Sequence, residues 1–405
     1  MKKPELLAPA GNLEKLKIAL QYGADAVYVG GHVFGLRKYA DNFSLKQLKK
    51  GLDFAHSLNK CVYVVLNGFA HNDDLAEIET HLHELEELQP DALIISDMGV
   101  FQLAKEHTSI PLHVSTQASV TNRHGCQFWK DAGAKRVILA REVSIQDCVA
   151  IKSSVDTELE IFVHGAMCAS YSGKCVISNY TSGRDSNRGG CVQSCRHTYE
   201  IKHEETREIE DTTHIMNAKD LMGIRQLPSI LKSEIESVKV EGRMKSNLYA
   251  ANIARVYRKA IDAIYDVLVQ EPNATFSDEF FTPFEDDLSL VSNRSFSSGG
   301  LDERPGGTSI AYDFDRYYKN VEYVGTIKEV RDKEALFVDI KSSFEPGDTL
   351  TLLQLDGTAF NFTADSIESV LGMPVEKTNP NSFVRLNWPK ELSSTTELSV
   401  LCKPL

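Results

Sequence analysis

Residues 160–195 read EIFVHGAMCASYSGKCVISNYTSGRDSNRGGCVQSC. The stretch opens as an apolar strand (Ile161, Phe162, Val163), breaks at His164-Gly165, and continues as a Gly- and Ser-rich segment suited to a loop. It holds four of the chain's eight cysteines, Cys168, Cys175, Cys191 and Cys195, in the spacing C-x6-C-x15-C-x3-C. The others, Cys61, Cys126, Cys148 and Cys402, stand singly. Zinc and iron–sulfur clusters both prefer thiolates and gather about four of them at one point. The spacing lacks the paired C-x2-C knuckles of a zinc ribbon. A cluster is wider than one ion and can take ligands from a wandering loop, so the pattern favours a four-iron cluster over zinc. Four unrelated core thiols are the plain alternative. Gly173, Gly183, Gly189 and Gly190 weigh against it, because they mark a loop and not a core element.

The strand at the head of this segment is one of eight similar runs. They are ELLAPAG (5–11), AVYVGG (26–31), CVYVVLNG (61–68), ALIISD (92–97), LHVSTQAS (112–119), RVILARE (136–142), LEIFVHG (159–165) and SVKVEGR (237–243). Helical patterns fill the gaps. Asn12 is placed to cap a helix through Leu13, Leu16 and Leu20 that Gly23 stops, and Ser44 to cap a second. Leu75, Ile78, Leu82, Leu85 and Leu88 form the apolar face of a third, with Asp73 and Asp74 at its positive end. Eight strands each meeting a helix predict a (β/α)8 TIM-like barrel over residues 1–264, with the cysteine-rich insertion (165–200) after strand seven. An open doubly wound sheet is the alternative, but APAGN is not the G-x-G-x-x-G turn of that class. The strand ends are polar: Asn67, Asp97, Gln117, Arg141, Glu142, His164, Glu241 and Arg243. In a parallel barrel these share one mouth, where catalytic groups sit. Some are expected only to satisfy loop backbone.

Composition shifts after the helix that follows strand eight. Residues 270–287 hold six acidic residues and no basic one, and FSSGGLDERPGGTS (296–309) reads as a linker, so 265–310 is expected to connect two domains. From 311 to 405, short alternating runs with EPGD and LDG turns predict a small β-barrel domain, a type that often serves recognition. No apolar run approaches a membrane span, and MKKPELLAPAG does not read as a signal peptide. A cytoplasmic, membrane-free protein with reduced thiols is therefore expected. The net charge of −13 argues against indiscriminate nucleic-acid binding. It leaves room for a local basic patch from Arg184, Arg188 and Arg196, or from Lys239, Arg243, Lys245, Arg255, Arg258 and Lys259, although such charges usually coat solvated faces. There is no Walker loop, no G-x-S-x-G elbow and no H-E-x-x-H helix. His81 and His83 are two apart on a helix and do not share a face.

At Glu160, Phe162, Gly165, Ala166, Met167, Cys168, Gly173, Cys175, Ile177 and Ser178 the chain resembles the collagenase-like peptidases of unknown catalytic type, whose signature is E-x-F-x-x-G-[SA]-[LM]-C-x4-G-x-C-x-[LIVM]-S. ELLAPAGN, GLRKYADNF (35–43), GRDSNRGGCVQSCR and VKVEGRMKS match as well, so the resemblance spans the barrel. It is most similar to the members that hydroxylate the wobble uridine of tRNA to 5-hydroxyuridine, and among those to the longer of two paralogues. That resemblance implies an oxygen-independent, prephenate-dependent tRNA-modifying enzyme with an iron–sulfur cluster, of the 4Fe–4S type, on Cys168, Cys175, Cys191 and Cys195. It also implies the tRNA anticodon loop as substrate and a shorter paralogue as a hetero-oligomeric partner. A peptidase, as the family name says, and a non-catalytic cluster-bearing subunit are the two alternatives.

The chemistry implied needs particular side chains. Placing oxygen on a pyrimidine carbon is delegated to a cofactor. A small dicarboxylate calls for guanidinium forks, for which Arg141, Arg184, Arg188 and Arg243 are candidates, with Lys245, Asn67 and Gln117 as further substrate contacts. Arg184 and Arg188 serve equally as phosphate contacts. His164, Glu241 and Glu142 are the candidate proton carriers, each with a structural role as its rival. Tyr39, Phe43 and Tyr180 are candidate stacking platforms for an unpaired base.

Overall fold

Eight parallel strands close on themselves in the order of the chain: β1 (Glu5–Pro9), β2 (Ala26–Gly30), β3 (Cys61–Leu66), β4 (Ala92–Ile95), β5 (Leu112–Val114), β6 (Arg136–Ile138), β7 (Glu158–Gly165) and β8 (Ser237–Val240). Val238 of β8 pairs with Leu6 of β1 on one side and Ile161 of β7 on the other, which shuts the ring. This computed structural model describes residues 1–31, 42–314, 316–331 and 333–405; most of the GLRKYADNF loop, Tyr39 included, lies outside them. β2 and β4 are buried at every position, as strands covered on both faces must be.

The helices begin where the sequence supplies caps. Asn12 accepts from the Lys15 amide at 3.0 Å ahead of α1 (Leu13–Gln21). Ser44 and Gln47 form a reciprocal capping box ahead of α2 (Leu45–Ser57). The ring continues with α3 (Leu75–Leu88), α4 (Met98–His107), α5 (Arg123–Ala132) and α6 (Ile145–Lys152). Ile78, Leu82 and Leu85 of α3 are buried on the expected face.

After β7 the chain leaves the barrel at its C-terminal mouth. It forms the cysteine segment with α7 (Ile177–Ser182), then a hairpin (Tyr199–Lys202 with Ile209–Thr213), and returns through Asp220–Met222, antiparallel to β7. α8 (Leu227–Lys232) leads into β8, and α9 (Asn247–Gln270) closes the ring. The expected connector carries a helix the sequence reading missed, α10 (Asp278–Ser289), with Pro283 inside it. Acidic residues and proline made it read as linker. Its Phe280, Phe281 and Phe284 instead pack together with Phe276, while Asp278 and Glu285 pair with Arg225.

The C-terminal strands are β9 (Val321–Arg331), β10 (Ala335–Ile340), β11 (Thr349–Leu353), β12 (Ala359–Thr363), β13 (Ile367–Ser369), β14 (Phe383–Asn387) and β15 (Val400–Pro404). They form one antiparallel sheet in the order β12-β11-β15-β9-β10-β14-β13, wrapped on its own apolar core. This domain is mounted on α1 and α9: Tyr22 donates to the Leu353 carbonyl (2.5 Å), and Lys259 and Arg255 donate to that of Gly357 (2.7 and 3.3 Å). Among the described residues no helix is long and apolar enough to cross a membrane.

Candidate active site

The cysteine segment is folded back across the barrel mouth, and two glycines allow it. Gly165 ends β7 at φ +103°, where a Cβ would lie 2.5 Å from the Glu241 carbonyl oxygen. Gly173 (φ +71°) lies so close to the backbone of Gln117 that a Cβ would stand 2.0 Å from its oxygen. Any other residue at either position meets both an obstacle and a left-handed backbone. Polar clamps then fix the segment. Glu142 accepts from the amide and hydroxyl of Ser172 (2.9 and 3.3 Å), and Arg188 forks onto Asp74 (2.5 and 3.1 Å) while donating to the Phe69 carbonyl.

Beneath it lies a cavity of about 140 Å³ that reaches into the barrel. All four cysteines of the segment line it, together with Arg141, Lys239, Glu241, Arg243, Asn67 and Gln117, over the rings of Tyr28 and Phe162. Arg141 joins the two halves of the site. One of its amino groups is 3.4 Å from the Cys168 sulfur and the other 3.1 Å from Glu241, with the guanidinium stacked 4.3 Å above Phe162. Arg243 is 4% exposed and donates to the Asn42 side chain at 2.9 Å. Its fork rests against the end of β2 at Gly30, where a Cβ would be only 2.3 Å from a guanidinium nitrogen. Lys239 reaches Glu160 at 2.9 Å and lies 4.4 Å above Tyr28.

The donor set can be tested against the centres it might hold. Burial pushes the Cys195 thiol up, Arg196 pulls it down, and Cys168 and Cys191 are near enough to push it up further. Yet no three of the four sulfurs come within 4.8 Å of one another; among the described residues only Glu79, His83 and His107 meet that spacing. Four thiols that line one cavity without being gathered to the spacing of a single tetrahedral ion are a donor set that suits a wider, multi-iron cluster.

Other expected residues sit elsewhere. His164 is 2% exposed, enclosed by Tyr249, Tyr257 and Phe296, and absent from the cavity lining. Burial, partly offset by Asp220, lowers its pKa to about 3 and keeps the ring neutral. Lys245 donates to the Ser292 carbonyl at 3.0 Å, and burial lowers its pKa. Arg184 is half-buried and does not line the cavity, and Arg188 is engaged by Asp74. Glu142 faces a second, outer cavity of about 740 Å³, which the stretch from Cys168 to Tyr171 separates from the inner one. The outer cavity is the larger, but the thiols and guanidinium groups concentrate in the inner one. Phe43 is buried in the core, whereas Tyr180 is 88% exposed. The sequence reading placed Lys239 in a basic run and missed its place in the cavity. A lysine alternating with valines inside a buried strand was the available signal.

Residues 11–311 match the model of peptidase family U32, and 319–396 that of the U32 C-terminal domain. "tRNA hydroxylation protein P1" of Bacillus subtilis is 37% identical over 374 residues, covering 90% of this chain and 87% of its own. "tRNA hydroxylation protein P" of Helicobacter pylori (strain J99) is 46% identical over 318 residues, covering 75% and 73%. The "23S rRNA 5-hydroxycytidine C2501 synthase" of Escherichia coli is 33% identical over 394 residues, covering 96% of this chain and 56% of that one.

Proposed function

The chain belongs to the U32 peptidase family, and from that premise we propose that it is an RNA-modifying hydroxylase that converts the wobble uridine of tRNA to 5-hydroxyuridine. Relatives named for tRNA and rRNA hydroxylation over most of this chain support the reaction class. The observation that carries the reading is the inner cavity, where four thiols and three cationic side chains, Arg141, Lys239 and Arg243, line one space.

Replacing C5–H by C5–OH removes two electrons from the base and adds one oxygen atom, which side chains alone do not do, so a bound cofactor has to take up the electrons and the co-substrate or water has to supply the oxygen. Cys168, Cys175, Cys191 and Cys195 would hold an iron–sulfur cluster, which supplies one-electron chemistry when bound. Arg141 then serves in two ways. It donates toward the Cys168 sulfur, an outer-sphere contact that tunes such centres, and it holds Glu241 in place. The fork of Arg243, with Lys239 beneath, suits the carboxylates of a small diacid, in this reading prephenate. Among the described residues Glu241 is the one cavity-lining carboxylate, and it is placed to take or return a proton at the mouth. The outer cavity, of ordinary ligand-pocket size, suits the nucleotide.

The peptidase reading finds no nucleophile–base pair here, because no histidine is among the described residues lining the inner cavity. Deleting the gene and measuring wobble nucleosides by mass spectrometry tests the proposal. 5-Hydroxyuridine should disappear, return with the parent gene and stay absent with Cys168→Ala. Unchanged hydroxyuridine in the deletion strain would overturn it.

A further inference from the structure

Far from the cysteine mouth, the outer helices bring three metal-ligating side chains together. Glu79 and His83 are one turn apart on α3 and share a face. His107 ends α4 and meets them: its Nε2 is 3.5 Å from Glu79 Oε1, and its ring stands 5.0 Å from that of His83 at 77°. All three ligand atoms lie within 4.8 Å of one another. His107 precedes β5, and therefore sits at the end of the barrel opposite the mouth.

We propose that Glu79, His83 and His107 form a surface binding site for a borderline divalent cation, zinc above all, that clips α3 to α4. Two imidazoles and a carboxylate are a ligand set such ions accept, with water in the fourth position. Ligand atoms around a tetrahedral zinc ion stand about 3.3 Å apart. Glu79 and His107 already stand near that spacing at 3.5 Å, and the widest pair has at most about 1.5 Å to close. Glu79 keeps nearly half its side-chain surface in solvent (48%) and His83 is exposed, so rotamer changes can supply the movement. The backbone is already fixed, because Glu86 on α3 accepts from both the amide and the hydroxyl of Ser109, two residues beyond His107. Lys105, the nearby cation on α4, is turned away onto the Ala132 carbonyl. The site is independent of the proposed reaction and of the thiol centre.

Zinc titration calorimetry on tag-free, chelator-washed full-length protein tests this, with the parent beside His83→Ala, His107→Ala and Glu79→Gln. The thiols are common to all four proteins, so their contribution cancels in the comparison. The parent should bind one more equivalent of zinc than either histidine variant, and Glu79→Gln should bind that equivalent more weakly. Zinc should also raise the melting temperature of the parent more than that of the variants. Equal stoichiometry, affinity and zinc-induced shift in all four would overturn the site and leave an ordinary His107–Glu79 ion pair. All three replacements fall on solvent-accessible side chains, and the parallel variants keep the test decisive if one of them fails to fold.

Discussion

The two ends of the barrel interior use the same side chains to opposite ends. Toward the bottom, Arg136 is bound by Glu5, Glu158 and Glu160 (2.6, 2.9 and 3.1 Å), and Lys239 takes the other oxygen of Glu160. Burial alone would raise the Glu160 carboxyl, but Lys239 and Arg136 hold it at about 2. At the mouth, Arg141 and Arg243 converge on a cavity whose described lining has one carboxylate, Glu241, and the four thiols. In the lower set three carboxylates hold two cations; in the upper set, among the described residues, the guanidinium groups share a cavity with thiols and one carboxylate. A barrel can thus separate a charge network that holds the ring together from a polar set that lines a cavity, within a few residues of the same strands.

Glu160→Gln attacks that contrast most strongly. Breaking a buried ion pair costs ~3–5 kcal/mol, and the loss should appear in urea unfolding. Unchanged stability would mean that the lower set is not structural. Arg243→Lys probes the other end. It keeps the charge and loses the fork, so unfolding should shift little. Affinity for the dicarboxylate should fall roughly 10- to 150-fold, the worth of one charge-assisted hydrogen bond at about 1.5–3 kcal/mol. Equal binding by the two proteins would remove Arg243 from the site.

Both ends of the barrel also bury a histidine, and these make stability depend on pH. Burial lowers His113, beside the lower network, to about 3, helped by Arg136 and Lys239 and opposed by Glu160. His164 is lowered equally far. Each takes up a proton on unfolding near pH 6.5 but in the fold only near 3, so stability should fall as pH drops through that window. The slope approaches ~1.4 kcal/mol per pH unit for each histidine. Unfolding free energies measured from pH 7 to 5 check this, and His164→Asn should flatten the curve.

What could be read in advance follows from how local each signal is. The eight strands and their capped helices were legible because periodicity, Asn12 and Ser44 are local and agree with the fold around them. α10 was hidden because its acids and Pro283 imitate a linker until Arg225 and the phenylalanine cluster are brought to it from elsewhere in the chain. The cysteine set and the polar strand ends could be named from the chain, but their sorting could not. Whether His164 or Glu241 faces the cavity depends on which side of a strand end points inward where β7 meets an unusual antiparallel neighbour. The Glu79–His83–His107 group was invisible for the same reason, since its third member comes from the next helix.

The proposed chemistry requires the four thiols to act together, and iron and acid-labile sulfide content after anaerobic purification measures that most directly. The parent should be brown, with iron and sulfide in about equal amounts, as iron–sulfur clusters contain them, and Cys191→Ala should lose both. A colourless parent without iron, or a Cys191→Ala protein that keeps the iron and sulfide of the parent, would contradict it.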